Sequence, residues 1–218
     1  MRITIIYDNE LHVPKLKSGW GFSCLIENEK KVLFDTGWDC AILQSNLKAL
    51  DINSRDIDII VLSHDHWDHI GGLAWLLDAN PDVEVYVPSS FSKRLKDEII
   101  SRAELTEVDG PTKICDRIYT TGVLGTSIKE QSLVLKTKEG MIVITGCAHP
   151  GLSAILDKAS SFGHAYGVIG GFHGFDDYDV LNDTSLIVPC HCTARKSEIA
   201  RRFPDTYKKD GAGWSMEF

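Results

Sequence analysis

Ser63-His64-Asp65-His66-Trp67-Asp68-His69 lies between the apolar run Asp58-Ile59-Ile60-Val61-Leu62 and the pair Gly71-Gly72. Three histidines and two aspartates within six positions are too dense for a hydrophobic core. A buried imidazole needs a hydrogen-bond partner, and a buried carboxylate costs more still. The apolar run has the length and β-branched content of a strand, so the motif falls at a strand-to-loop junction, where sheet proteins keep their chemistry. If the stretch stays extended, alternate residues share a side, so His64, His66 and Asp68 converge and His69 opens the next turn. Imidazole nitrogen and carboxylate oxygen are the donors that Zn²⁺ takes at about 2.0–2.2 Å. The plainer reading is a solvated polar loop, and the density of the motif at a strand end argues against it.

Similar junctions recur further along. Thr145-Gly146-Cys147-Ala148-His149-Pro150-Gly151 follows Met141-Ile142-Val143-Ile144, Gly170-Gly171-Phe172-His173 follows Tyr166-Gly167-Val168-Ile169, and Pro189-Cys190-His191-Cys192 follows Ser185-Leu186-Ile187-Val188. Six of the eight histidines therefore stand at strand ends. Singly, His149, His173 and His191 read as readily as structural residues; with the first motif they become ligand candidates. Asp35, before Thr36-Gly37, is either a turn former or the acceptor that fixes the tautomer of a metal-bound histidine. Asp8-Asn9 reads as the turn ending the first strand, with a role at the rim of the site as the lesser alternative. Cys190 and Cys192 point away from a metal-facing His191 only if that segment is extended.

The surrounding chain has 218 residues, 43% hydrophobic and 25% charged, which excludes disordered and collagen-like classes. Strands are expected near 2–7, 22–27, 31–35, 58–62, 83–87, 115–121, 132–137, 141–145, 165–169 and 185–189, with one more in 213–218. Helical spacing marks 39–50, a stretch after Gly71-Gly72, 92–101, 152–160 and 197–203. No linker divides the chain, and Asp109-Gly110-Pro111 is a turn near its midpoint. Both halves run strands, then a histidine motif at a strand end, then a helix. Strands this apolar need helices on one face and a second sheet on the other. The expected fold is a four-layer αββα sandwich, a single domain over 1–218 whose similar halves meet near 109–114. Asp and Glu number 31 against 23 Lys and Arg, a formal charge of −8, which speaks against nucleic-acid binding. No run reaches the roughly 20 apolar residues of a membrane helix, and the N-terminus reads as a strand, not as a signal peptide. A cytoplasmic location follows, and the six cysteines read mostly as small core residues, not as a disulfide framework.

His64-Asp65-His66-Trp67-Asp68-His69 resembles the HxHxDH signature of metallo-β-lactamase-fold hydrolases, and Asp35-Thr36-Gly37 resembles the element preceding it in that superfamily. Within the superfamily, the chain is most similar to the 7,8-dihydropterin-6-methyl-4-(β-D-ribofuranosyl)-aminobenzene-5′-phosphate synthases. Tyr7-Asp8-Asn9, Gly21-Phe22-Ser23-Cys24, the 145–151 and 170–173 segments and His191-Cys192-Thr193 carry that likeness. The resemblance implies one metal held by His64, His66 and His149 and a second held by Asp68, His69 and His191. Zn²⁺ is the preferred ion, with Mn or Fe as alternatives. Asp68 would also orient the attacking water and take its proton, and Asp35 would support a ligand from behind. Many members carry an aspartate bridging both metals where this chain has Gly170-Gly171-Phe172-His173. That departure leaves His173 as a substitute ligand or as an acid/base group facing substrate. Cys147 reads as buried filler before it reads as a ligand.

Three functions are weighed. The first is a metal-dependent hydrolase acting on a phosphate ester or diester, or on a related ester-type small molecule. The second is a synthase-like transferase, in which a pterin diphosphate loses its leaving group to an arylamine. The third is a metal-stabilised binding module, disfavoured because structural zinc sites are closed and usually thiolate-rich. Trp20, Trp38, Trp67 and Phe172 either stack on a flat substrate or cover core edges.

Overall fold

The computed structural model describes residues 1–218. Its strands and helices, in chain order, are β1 (Arg2–Tyr7), β2 (Ser23–Glu27), β3 (Lys31–Phe34), α1 (Cys40–Ala49), β4 (Ile59–Val61), α2 (Trp67–Ile70), α3 (Leu73–Ala79), β5 (Glu84–Pro88), α4 (Lys93–Ile100), β6 (Glu104–Val108), β7 (Thr112–Cys115), β8 (Ile118–Thr120), β9 (Leu133–Lys136), β10 (Met141–Thr145), α5 (Leu152–Ser160), β11 (Ala165–Gly171), β12 (Leu186–Cys190), α6 (Lys196–Arg202) and β13 (Ser215–Glu217). One sheet has the order β13-β1-β2-β3-β4-β5-β6 and the other the order β12-β11-β10-β9-β8-β7. The chain passes from the first sheet to the second across Asp109-Gly110-Pro111.

Side-chain alternation along the strands builds the layers. Val32 and Phe34 of β3, Ile59 and Val61 of β4, Ile142 and Ile144 of β10 and Leu186 and Val188 of β12 meet in one core between the sheets. The intervening residues face outward. Leu33 and Ile60 pack with Leu43 and Leu47 of α1 and Leu73, Leu76 and Leu77 of α3. Val143 and Ile187 pack with Leu152, Ile155 and Leu156 of α5 and Ile199 of α6. Period two with both faces apolar is the signature of strands buried on both sides. Full burial of each such side chain stabilises by roughly 1.5–3 kcal/mol. The result is the expected αββα sandwich.

β3, β4, β5 and β6 run parallel, as do β10, β11 and β12. β1 is antiparallel to β2, which is antiparallel to β3, so β1 runs with the parallel set. The C-terminal ends of these strands carry Asn9, Asp35, the 63–69 segment, Cys147, His149, His173 and His191.

Three local expectations need correction. The single strand expected over 115–121 is a hairpin, β7 and β8, turning at Asp116-Arg117, where Arg117 takes a φ of 64°. The sixth strand of the first sheet, Glu104-Leu105-Thr106-Glu107-Val108, was not expected; as an edge strand it pairs on one side only and keeps polar residues, which hide its period. The 63–69 segment is not extended to its end. His66 caps α2, so Asp68 lies on a helical turn and does not join His64 and His66 as alternation requires.

Candidate metal centre

Asp35 is fully buried at the end of β3 and organises the first motif. Its Oδ1 accepts from the Ser63 amide at 2.7 Å, and its Oδ2 accepts from the Ser63 hydroxyl and from His69 Nδ1, both at 2.7 Å. Because Ser63 Oγ donates to Asp35, it is left to accept from His64 Nδ1 at 2.8 Å. Both rings are thereby held with Nδ1 protonated and the Nε2 lone pair turned toward the interior, where His69 Nε2 meets Cys147 Sγ at 3.2 Å. His64 Nε2 faces His66 Nδ1 at 3.1 Å. Burial pushes Asp35 up to about 8, against the opposing pull of the Ser63 hydrogen bonds. Burial, followed by the neighbouring imidazoles, drives His64 far below its ordinary range and also lowers His69. A side chain at Gly146 would meet Ser63 Oγ at 2.3 Å, so β10 comes this close to the motif only as glycine.

The second sheet contributes its residues one at a time. Glu130, almost fully buried, accepts backbone N–H bonds from Cys147, Ala148 and His149 at 2.9–3.0 Å. This cradle fixes the loop after β10. Burial raises Glu130 to about 7 even against those three donors. His191 is held from behind by Asn9, whose Oδ1 lies 3.0 Å from His191 Nδ1 and whose Nδ2 donates to the His191 carbonyl. Asp8 accepts from the His191 amide at 3.3 Å. Asp35, Ala148, His173 and His191 all have positive φ, at 59°, 57°, 49° and 46°. Such backbone is costly for Ala and His, and it persists where the surroundings over-determine it.

Two donor groups result. His64, His66 and His149 have ligand atoms within 4.8 Å of one another, and so do Asp68, His69 and His191. His149 Nε2 and His191 Nε2 are buried and have no hydrogen-bond partner. His191 Nε2 lies 3.2 Å from Asp68 Oδ2 without the geometry of a hydrogen bond. Two orphaned imidazole nitrogens aimed among nitrogen and carboxylate donors fit a transition-metal site. Asp68 also accepts from the indole N–H of Trp20 at 2.8 Å. Burial raises the Asp68 carboxyl, but His191 and His69 outweigh it and hold it below the usual carboxylate range. Burial, then His66 and His173, lowers His149 to about 4.

His173 is exposed, its ring 5.0 Å from that of His149, and both line a cavity of about 290 Å³ with Phe175, Asp176 and Asp177. Asp65 is exposed and lines a different groove, with Trp67 and Leu73. Trp20, Trp38 and Trp67 are exposed, and Trp20 stands edge-on to His191 at 5.1 Å. Phe172 packs into the core beneath α5. His191 breaks the extended backbone, so Cys192 does not point away; its Sγ lies 3.3 Å from that of Cys147. Glu130 escaped the sequence reading because no motif marks a lone glutamate before a strand. The sequence marks Asn9 only as a turn or rim residue, because its partner lies 182 positions away.

Residues 21–191 match the metallo-β-lactamase superfamily model, and the chain belongs to that superfamily. It is 30% identical to the 7,8-dihydropterin-6-methyl-4-(β-D-ribofuranosyl)-aminobenzene-5′-phosphate synthase of Methanocaldococcus jannaschii, over 91% of this chain and 90% of that one. Among solved structures, Tm1679, a metal-dependent hydrolase of the β-lactamase superfamily, superposes with a TM-score of 0.81 at 27% identity, covering 100% of this chain and 99% of that one. YhfI from Bacillus subtilis, a metallo-β-lactamase fold protein, shares the fold at 14% identity and a TM-score of 0.73, covering 99% of each chain. No helix is long and apolar enough to cross a membrane.

Proposed function

We propose that the chain is a metal-dependent hydrolase that cleaves an ester-type bond in a small molecule, with phosphate esters and diesters foremost. The observation that carries this reading is the pair of adjacent donor groups with two buried, unpartnered imidazole nitrogens. In this reading His64, His66 and His149 hold one divalent ion and Asp68, His69 and His191 hold another, with Zn²⁺ preferred and Mn or Fe as alternatives. Such ions supply Lewis acidity and lower the pKa of water to about 7.

The chain's own residues do the rest. Asp68, fixed by Trp20, orients the attacking water and accepts its proton. Asp35 holds His69, and Ser63 holds His64, so neither ring turns away. His173, on the cavity wall beside His149, gives a proton to the leaving oxygen as the ester bond breaks. The cavity of about 290 Å³ beside His149 and His173 offers room for a small substrate. The six free thiols support a reducing, cytoplasmic setting.

The test begins by stripping the protein with a chelator and reloading it with Zn²⁺, Mn²⁺ or Fe²⁺. Phosphodiesters, phosphomonoesters, thioesters and lactones are then offered. Metal-restored hydrolysis of one class is expected; no turnover of any class by a fully loaded protein overturns the reading.

The 30% identity over nearly the full length of both chains favours a second reading, a synthase-like transferase. Its signature is diphosphate release from a dihydropterin diphosphate that occurs only with an arylamine present.

A further inference from the structure

Of the Gly170-Gly171-Phe172-His173 segment, which lacks the aspartate that bridges both metals in many superfamily members, Gly170 and Gly171 at the end of β11 have no room for a side chain. A Cβ on Gly171 would lie 2.4 Å from the Gly146 carbonyl oxygen and 2.7 Å from Cys192 Sγ. The space beside it is filled from the neighbouring strand, by Cys147. Its Sγ is 3.2 Å from His69 Nε2. It also lies within 4.8 Å of a donor atom of His64, from the first group, and of His191, from the second. Cys147 therefore stands against both groups, a position that alternation along the chain does not reveal.

We propose that Cys147 is a metal ligand whose thiolate supplies the anionic donor between the two groups, in place of the missing carboxylate. The inference rests on the metal-site reading of the preceding subsection. Three observations support it besides the distances. The loop carrying Cys147 is pinned by Glu130, which accepts from its amide at 3.0 Å, so the thiol's position is fixed and not that of loose filler. His191 Nε2, with its side chain wholly buried and no hydrogen-bond partner, belongs to the same cluster as Cys147 and Cys192. Cys192 Sγ, 3.3 Å away, is placed to donate its S–H to the Cys147 thiolate. On metal binding the Cys147 S–H bond breaks, its electron pair goes to the metal, and the proton leaves to the buffer, with no change of oxidation state. A soft thiolate among imidazoles biases the site toward Zn²⁺ or Fe²⁺ and away from Mn²⁺.

The test uses X-ray absorption on the zinc-loaded wild-type protein, together with the near-ultraviolet spectrum of the cobalt-loaded protein. A zinc–sulfur shell at about 2.3 Å and a sulfur-to-cobalt charge-transfer band are expected. Both signals should vanish in Cys147→Ser and persist in Cys192→Ser, while Cys147→Asp should keep the wild-type metal stoichiometry without the sulfur signals. Metal bound by the wild-type protein with no sulfur signal overturns this inference and leaves the metal reading standing. Signals that survive Cys147→Ser and vanish in Cys192→Ser assign the ligand to the other thiol and overturn it as well. A wild-type protein that binds neither zinc nor cobalt overturns both readings. The wild-type measurements decide the matter even if a variant does not fold.

Discussion

The two sheets build their shares of the site in different ways. The first sheet delivers His64, His66, Asp68 and His69 from one seven-residue stretch, backed by a single carboxylate, Asp35. The second delivers Cys147 and His149 from one strand end and His173 and His191 from two others. Ala148, His173 and His191 there are held on left-handed backbone, and the loops are held by side chains from other segments, Glu130 as an acceptor and Asn9 through its amide, which donates to the His191 carbonyl. The first arrangement depends on a local turn. The second depends on long-range hydrogen bonds that keep unfavourable backbone in place.

Substitutions can break or sharpen that contrast. Asp68→Ala should have the largest effect on activity, because a positioned base typically contributes about 10²–10⁴-fold in rate. Its melting temperature should move little, since Asp68 lies on the α2 turn at the C-terminal ends of the strands, outside the packed layers; turnover and thermal melting measured together check this. A variant that unfolds would make the first-sheet motif structural.

Glu130→Gln should act mainly on stability. A buried amide side chain replaces a carboxylate that serves three N–H donors, and at least one donor loses its partner at a cost of about 1–3 kcal/mol. Chemical denaturation checks the loss. Metal titration should show weaker binding at His149, and unchanged binding would mean that the loop holds itself.

Asn9→Ala should weaken metal binding at the His191 group by about 10–100-fold, the usual cost of losing the partner behind a ligand. The His64 group should titrate as before. Equal weakening of both would show that the two groups are not separable. Asp65→Ala should be the mildest change, within about 0.5 kcal/mol in stability and near wild-type in turnover, because its side chain is exposed and faces another groove.

Sequence alone determined the class of the fold and marked most of the candidate donors. Apolar alternation on both faces of the strands requires a layer on each side of every sheet, and that demand is visible residue by residue in Val32-Leu33-Phe34 or Ile142-Val143-Ile144. The density of His64 to His69 is local and therefore legible. Tertiary structure supplies the geometry behind the grouping that the resemblance implies and that alternation along the chain misses. Asp68 reads as a partner of His64 and His66 if the segment is extended, yet the helical turn at Trp67–Ile70 sends it to His69 and His191. Glu130 and Asn9 matter only through partners 17 to 19 and 182 positions away, and Cys147 stands between the groups only because Gly146 and Gly171 let strand ends approach without side chains. Periodicity reports which face a residue takes; it carries no information on which distant backbone amide or imidazole that face will meet, because that is fixed by how the sheets register and pack.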